Sequence, residues 1–208
     1  MKGKVCFAVF ALLAAGVIAA QAPKGWLVRT DRSTSASDPD AAGAVKLMAM
    51  GSGFHVMTPQ AAVFWNPANA ATGNYTLKGT FTLIKSTGYD EYYGLVFGGS
   101  DLDGSGQAYL YFMITDDGTW MVKHRMGPST ETVLEKTPNA AIKKPDSSGK
   151  STNILEVRVM PDKIGFVVNG VIVGTAPRTG LAAKPDGIYG IRSNHHLELQ
   201  VDGLGVSK

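Results

Sequence analysis

From Tyr75 onward the chain alternates with period two, and this constrains its fold more than any other feature. In "YTLKGTFTLI" the residues Tyr75, Leu77, Phe81 and Leu83 alternate with Thr76, Lys78, Thr80 and Thr82, the pattern of a half-buried antiparallel strand. Comparable stretches are Tyr92 to Phe97, Ala108 to Ile114, Thr119 to Arg125, Ile154 to Val159, Ile164 to Val168, Val171 to Thr175, Ile188 to Ser193 and Leu197 to Val201. Glycine, proline, asparagine and aspartate punctuate them, and no long amphipathic stretch of helical period intervenes. The pattern predicts an all-β sandwich or barrel and not a protein of alternating strands and helices. In "VVNGVIV", Asn169 and Gly170 can both take the positive φ of a two-residue type I′ hairpin.

The N-terminus reads differently. Lys2 and Lys4 precede the apolar run "VCFAVFALLAAGVIAA", which ends in small residues, as a secretory signal peptide does. Residues 1–20 are expected to be removed after Ala20; cleavage after Ala22 would fit "AQA" but leave Pro23 at the new terminus. The run is shorter than the roughly 20 apolar residues that span a bilayer. The expectation is therefore a secreted or periplasmic protein with no membrane span once the signal is removed. Residues 21–208 are expected to form a single β-sandwich domain. The chain's one cysteine, Cys6, lies in the leader, so stability must come from a core and not from disulfides. The polar stretches "DRSTSASDPDAAG" and "PDSSGKST" are expected to be surface loops.

Charge excludes one class of partner. Taking Lys2 and Lys4 from 20 basic residues leaves 18 against 17 acidic ones, so the net charge falls from +3 to about +1. Such a balance offers no basic footprint for nucleic acid.

The hairpin around "ITDDGTW" fixes which side chains share a face. A three-residue loop of Asp116, Asp117 and Gly118 places Leu110, Phe112 and Ile114 beside Trp120 and Val122, and leaves Tyr109, Tyr111, Lys123 and Arg125 on the other face, expected to be wet. Farther on, alternation groups Arg192, Asn194 and His196. Tyr92 is in phase with Gly94, whose missing side chain is expected to let something approach closely. These eight residues form the candidate ligand face, because a sugar ring stacks on aromatics while its hydroxyls bond amide, guanidinium and imidazole groups. Trp65 and Trp120 are expected in the core.

"YYGLVFGG", "YLYFMITDDGTWMVKHR", "NILEVRV" followed by "GFVVNGVIVGT", and "GIYGIRSN" followed by "LQVDGLGV" carry a resemblance to concanavalin A-like lectin and glucanase sandwiches. More narrowly, they resemble bacterial secreted 3-keto-disaccharide hydrolase-like and laminin G-like (LamG-like) domains, over roughly Gly73 to Val206. The resemblance implies a jelly roll of two antiparallel sheets, one concave and often the glycan-binding side. Of the Leu-Phe-x-Gly segment and Gly-Trp pair that open the ketosugar hydrolase relatives, only Gly25-Trp26 remains.

Catalytic signatures are missing. The Glu-x-Asp-x-x-Glu strand of laminarinase-type glucanases is absent, Glu156 has Arg158 two residues on, and Asp90-Glu91 and Asp116-Asp117 fall at turns. A retaining glycosidase needs two carboxyls about 5 to 5.5 Å apart. His195 and His196 are adjacent, so in a strand they would point to opposite faces and share no metal unless a bulge intervened. Asp101, Asp103 and Ser105, with Gly106, match the start of an EF-hand loop, but position twelve is Phe112 where a glutamate is required. They read as a polar turn, with a calcium site completed by another loop as the alternative; no other cofactor is expected. The expected function is carbohydrate or polyol recognition, the alternatives being a glycoside-cleaving enzyme of the ketosugar hydrolase type and a protein-interaction module.

Overall fold

The computed structural model describes residues 22–33, 36, 39–84 and 92–208. The expected leader and the pair Asp90-Glu91 lie outside them. In chain order the strands are β1 (Leu27–Asp31), β2 (Lys46–Met50), β3 (Gly53–Thr58), β4 (Ala61–Ala71), β5 (Tyr75–Leu83), β6 (Tyr93–Ser100), β7 (Ala108–Ile114), β8 (Thr119–Met126), β9 (Ser129–Pro138), β10 (Ser151–Val159), β11 (Lys163–Val168), β12 (Val171–Pro177), β13 (Gly187–Ser193) and β14 (Leu197–Ser207). They form two antiparallel sheets, sheet A in the order β1-β4-β13-β6-β7-β8-β9 and sheet B in the order β12-β11-β10-β5-β14-β3-β2. A single 3₁₀ turn, Gly180–Ala182, is the helical element among the described residues. None of their helices is long and apolar enough to cross a membrane.

Every stretch that alternates in the sequence forms a strand, and the last runs on past Val201 to Ser207. The alternation did not reveal β1 to β4 or β9. In β4, Ala61 to Trp65 are buried without a break, because the strand lies between β1 and β13 with both faces covered. Pro67 and Asn66 read as breakers. They fall where β4 bulges away from β13, between the pairs Trp65–Gly190 and Ala70–Ile188, so the N–H that proline lacks is not missed. β9 is an edge strand of threonines and charges, exposed along most of its length and hence without alternation.

The inward faces meet in a core that includes Phe64, Leu77, Phe81, Leu95, Phe112, Val122, Leu155, Phe166 and Ile191. Phe166 lies 5.2 Å from Phe112 and 6.4 Å from Trp120 between ring centroids, so β11 of one sheet is locked to β7 and β8 of the other. Each such fully buried side chain contributes about 1.5 to 3 kcal/mol. Gly174 is required by Trp120, since a Cβ there would come within 2.2 Å of the indole. The hairpin turn at Asn169 and Gly170 has φ of 50° and 85°, and Val168 pairs with Val171.

The bend at Asp116–Gly118 has three residues. Ile114 lies opposite Trp120, Phe112 opposite Val122, Tyr111 opposite Lys123 and Tyr109 opposite Arg125, and Gly118 has a φ of 87°. Asp117 pins the turn: its carboxylate accepts the Thr119 N–H at 2.8 Å, the Thr119 hydroxyl at 2.6 Å and the Thr115 hydroxyl. Lys136 of β9 approaches its other oxygen at 3.2 Å.

Candidate functional site

The outward face of sheet A is built in rows that cross the strands, each step about 4.8 Å. One row runs Arg29, Val63, Arg192, Gly94, Met113, Met121. Its neighbour runs Leu27, Trp65, Gly190, Val96, Tyr111, Lys123, Thr132. Beyond it, Tyr109 pairs with Arg125 and Arg125 with Thr130. Val63, Trp65, Val96, Tyr109, Tyr111 and Met113 pack with Leu102 into a second apolar cluster, separate from the inter-sheet core.

Tyr109 and Tyr111 are therefore on the face the alternation assigns them, but they are not wet: they are 1% and 6% exposed. The physical reason is that Val63 and Trp65 of β4, Val96 of β6 and Met113 of β7 make the face apolar around them, and Leu102, from the loop after β6, packs onto it. That loop is tied to β1 by Arg29, whose Nη1 donates to the Gly104 carbonyl at 2.5 Å. Burial raises the pKa of both phenols, so they remain neutral. Trp65 also departs from expectation: it is buried, yet in this outer cluster and not between the sheets, where Trp120 lies.

Arg192 organises the face. Its Nη1 donates to Asp31 Oδ2 at 2.7 Å and to the Tyr109 hydroxyl oxygen at 2.9 Å, and its guanidinium carbon sits 5.4 Å from the centre of the Tyr111 ring. Burial works against its charge, but Tyr109 and Asp31 outweigh that and the arginine stays protonated. Asp31 also faces Arg29 Nε at 3.7 Å. Arg192 Nε and Nη2 have no acceptor among the described residues, and neither is sealed from solvent. Lys123 and Arg125, both half-buried, complete the cationic side. Among the described residues Lys123 has no ion-pair partner, and Arg125 donates to the Gly127 carbonyl at 2.7 Å and the Thr130 hydroxyl at 3.4 Å.

Other expected members stand elsewhere. Tyr92 is half-buried just ahead of β6, with Lys136 Nζ 5.5 Å from its ring centre, and its carbonyl accepts the Asn194 N–H at 2.8 Å. These two sit side by side at one end of the face. His196 does not join them. β13 ends at Ser193, and His196 has a φ of 61°, which breaks the alternation that grouped it with Arg192. Its Nε2 contacts the Pro39 carbonyl at 3.0 Å, and it lines a cleft of about 300 Å³ with Lys46, Met57 and Glu198 of sheet B. The same break brings the His195 and His196 rings within 4.8 Å, against the expectation of opposite faces. Gly94 is also reinterpreted: a Cβ there would lie 2.2 Å from the Phe112 carbonyl oxygen, so what approaches it is the backbone of β7 and not a ligand.

The loop of Asp101, Asp103 and Ser105 is a tight turn. Asp101 has a φ of 49° and its carboxylate accepts the Gly106 N–H at 3.0 Å, while its carbonyl accepts that of Gly104. Asp103 and Ser105 are exposed. Among the described residues no group of three His, Cys, Asp or Glu side chains could hold a metal ion. Glu156 is held by Arg158 at 2.6 Å and Lys78 at 3.5 Å on the outward face of sheet B.

Sequence reasoning missed Arg29, Asp31, Val63 and Met113. "LVRTD" does alternate, with β-branched Val28 and Thr30 between Leu27, Arg29 and Asp31, but five residues carry little signal.

No protein-family model matches the chain, and no curated protein matches it in sequence. Solved structures do. The carbohydrate-binding module CBM66 from Bacillus subtilis superposes with a TM-score of 0.63 at 11% identity, covering 88% of this chain and 96% of that one. The GH16 protein of the Bacteroides ovatus mixed-linkage glucan PUL, in complex with a G4G4G3G product, gives 0.60 at 10% identity over 91% and 97%. A Bacillus subtilis protein of unknown function with a galectin-like fold gives 0.60 at 12% identity over 88% and 89%. The chain has the concanavalin A-like jelly-roll fold.

Proposed function

We propose that this chain is a carbohydrate-recognition protein that acts after export and binds through the outward face of sheet A. The observation that carries the reading is the Arg192 network: a charged guanidinium held by Asp31, Tyr109 and Tyr111, with two nitrogens that have no acceptor among the described residues and about a tenth of the side chain exposed. Burying a cation on the outside of a sheet is costly unless its field is used. A preorganised donor beside aromatic and amphipathic surface suits the hydroxyl-rich edge of a sugar. The buried tyrosines then act as the floor that positions Arg192, and the contact surface is its open edge with Lys123 and Arg125.

Recognition is favoured over cleavage because, on the strands β1, β4, β13, β6, β7 and β8, Asp31 is the one carboxylate among the described residues facing this side. It is already bonded to Arg192, and hydrolysis needs a pair. The likeness to CBM66 and to the GH16 protein is support from fold only.

The test is a polysaccharide array with wild type and the double variant Lys123→Ala, Arg125→Ala. Retention of at least one glycan, reduced about tenfold by the double variant at unchanged thermal midpoint, is the expected result. Full retention by the variant sinks this face as the site. Export predicts an N-terminus at Gln21 or Pro23 in protein recovered outside the cytoplasm.

A further inference from the structure

We propose that the glycan recognised on sheet A carries carboxylates, as a uronate polymer does, and that one carboxylate docks on Arg192; this rests on the recognition role proposed above. Arginine presents parallel donors along its Nε–Nη2 edge, and that fork matches the two oxygens of a carboxylate. In Arg192 both described bonds, to Asp31 and to Tyr109, are made by Nη1. The fork edge is the part left without an acceptor among the described residues, on a side chain that keeps about a tenth of its surface exposed. A neutral hydroxyl would use one of those donors; a carboxylate uses both and also meets the charge.

The surroundings have the same sign. On β1, β4, β13, β6, β7 and β8, among the described residues, Arg29, Arg192, Lys123 and Arg125 stand on this face against Asp31 alone. Asp31 is taken by Arg192 at 2.7 Å and Arg29 at 3.7 Å, so it offers no compensation to Lys123 or Arg125. Tyr111 joins the two halves, with Arg192 over its ring and Lys123 opposite it across the strand pair. One carboxylate on the fork therefore leaves Lys123 and Arg125 placed for the next acidic residue of a chain. On sheet B, by contrast, the carboxylates Glu156 and Glu198 both have partners: Glu156 has Lys78 and Arg158, and Glu198 has His55 Nε2 at 2.8 Å. With the expected leader removed the chain as a whole is nearly neutral, so the excess of cations on this face is local.

The experiment measures affinity for polygalacturonate, alginate and hyaluronan, for methyl-esterified polygalacturonate as the neutral counterpart, and for dextran sulfate as an anion without carboxylates. The expected result is that at least one uronate polymer binds about tenfold or more tighter than the ester and the sulfate. Arg192→Lys, which keeps charge and loses the fork, then weakens that polymer about tenfold, and Lys123→Gln does so to a smaller extent. Uronates bound no better than neutral glycans overturn the inference and leave carbohydrate recognition standing. Dextran sulfate held as tightly, with Arg192→Lys without effect, overturns the fork in favour of a plain anion surface. Should Arg192→Lys fail to fold, Lys123→Gln decides, since it breaks no hydrogen bond or ion pair among the described residues: unchanged uronate affinity there overturns the proposal. Binding to no glycan of any class removes the recognition role itself.

Discussion

The two outward faces of this sandwich are built by opposite rules. On sheet B the alternation is conventional. Thr76, Lys78, Thr80 and Thr82 of β5 are half-buried or exposed, and polar groups there satisfy one another, as Thr82 with Thr152 at 2.9 Å and Glu156 with its two cations. On sheet A the central strands are buried on both sides, β6 from Tyr93 to Phe97 and β7 from Tyr109 to Ile114, and the outward cluster contains an ionised arginine. A solvated face gains little from any one of its ion pairs, whereas a buried charge network is held by partners whose loss exposes the full desolvation cost. The difference places the buried charge, which is costly to hold without partners, on sheet A.

The sharpest way to break this contrast is a paired substitution. Arg192→Met should cost about 3 kcal/mol by leaving Asp31 half-compensated, whereas Glu156→Gln on sheet B should cost no more than about 1 kcal/mol, both read by urea denaturation. Equal costs would erase the distinction between the faces. Tyr109→Phe comes next, at about 1.5 kcal/mol, because it removes the hydroxyl that accepts from a charged donor. If it costs nothing, the phenol is packing only.

Acid titration sharpens the comparison further. Burial pushes Asp117 up, but hydrogen bonds from Thr115, Thr119 and Lys136 more than offset it and hold its pKa at about 2, below the ordinary 3.8. A folded-state pKa below the unfolded one stabilises at pH above the unfolded value, and that stability disappears as pH falls through the folded value. The gap in melting temperature between wild type and Asp117→Asn should therefore be full above about pH 4 and close toward pH 2. A gap independent of pH would deny the carboxylate its role in the β7–β8 turn. Asp146, in the exposed loop ahead of β10, is also lowered, by Ser148 and the Lys150 N–H, and its variant should show a weaker form of the same trend. The smallest effect is expected from Thr82→Ala on sheet B, within about 0.5 kcal/mol of wild type. A larger loss would mean that sheet B's outward face is more than a solvated surface.

Much of this was legible beforehand. The register of β7 against β8 followed from segregating Leu110, Phe112 and Ile114 from Tyr109 and Tyr111, and the positive φ of Asn169 and Gly170 from residue type alone. β4 was illegible for a definite reason: a strand covered on both faces shows no alternation, and its alanines, Asn66 and Pro67 carry no strand propensity. His196 was misplaced because β13 stops at Ser193 and a turn with His196 at positive φ follows, and nothing local announces it.

The amino-acid order determined the strands with one wet side, their turns and the facing of each tyrosine, because period two and turn conformation are properties of a few neighbouring residues. Tertiary structure alone decided that the tyrosine face would be covered and that Arg192 would become its centre. Those contacts join residues 83 and 161 positions apart, Tyr109 and Asp31. They exist because β13 inserts between β4 and β6, a choice of strand neighbours set by how the whole core closes and by no local pattern.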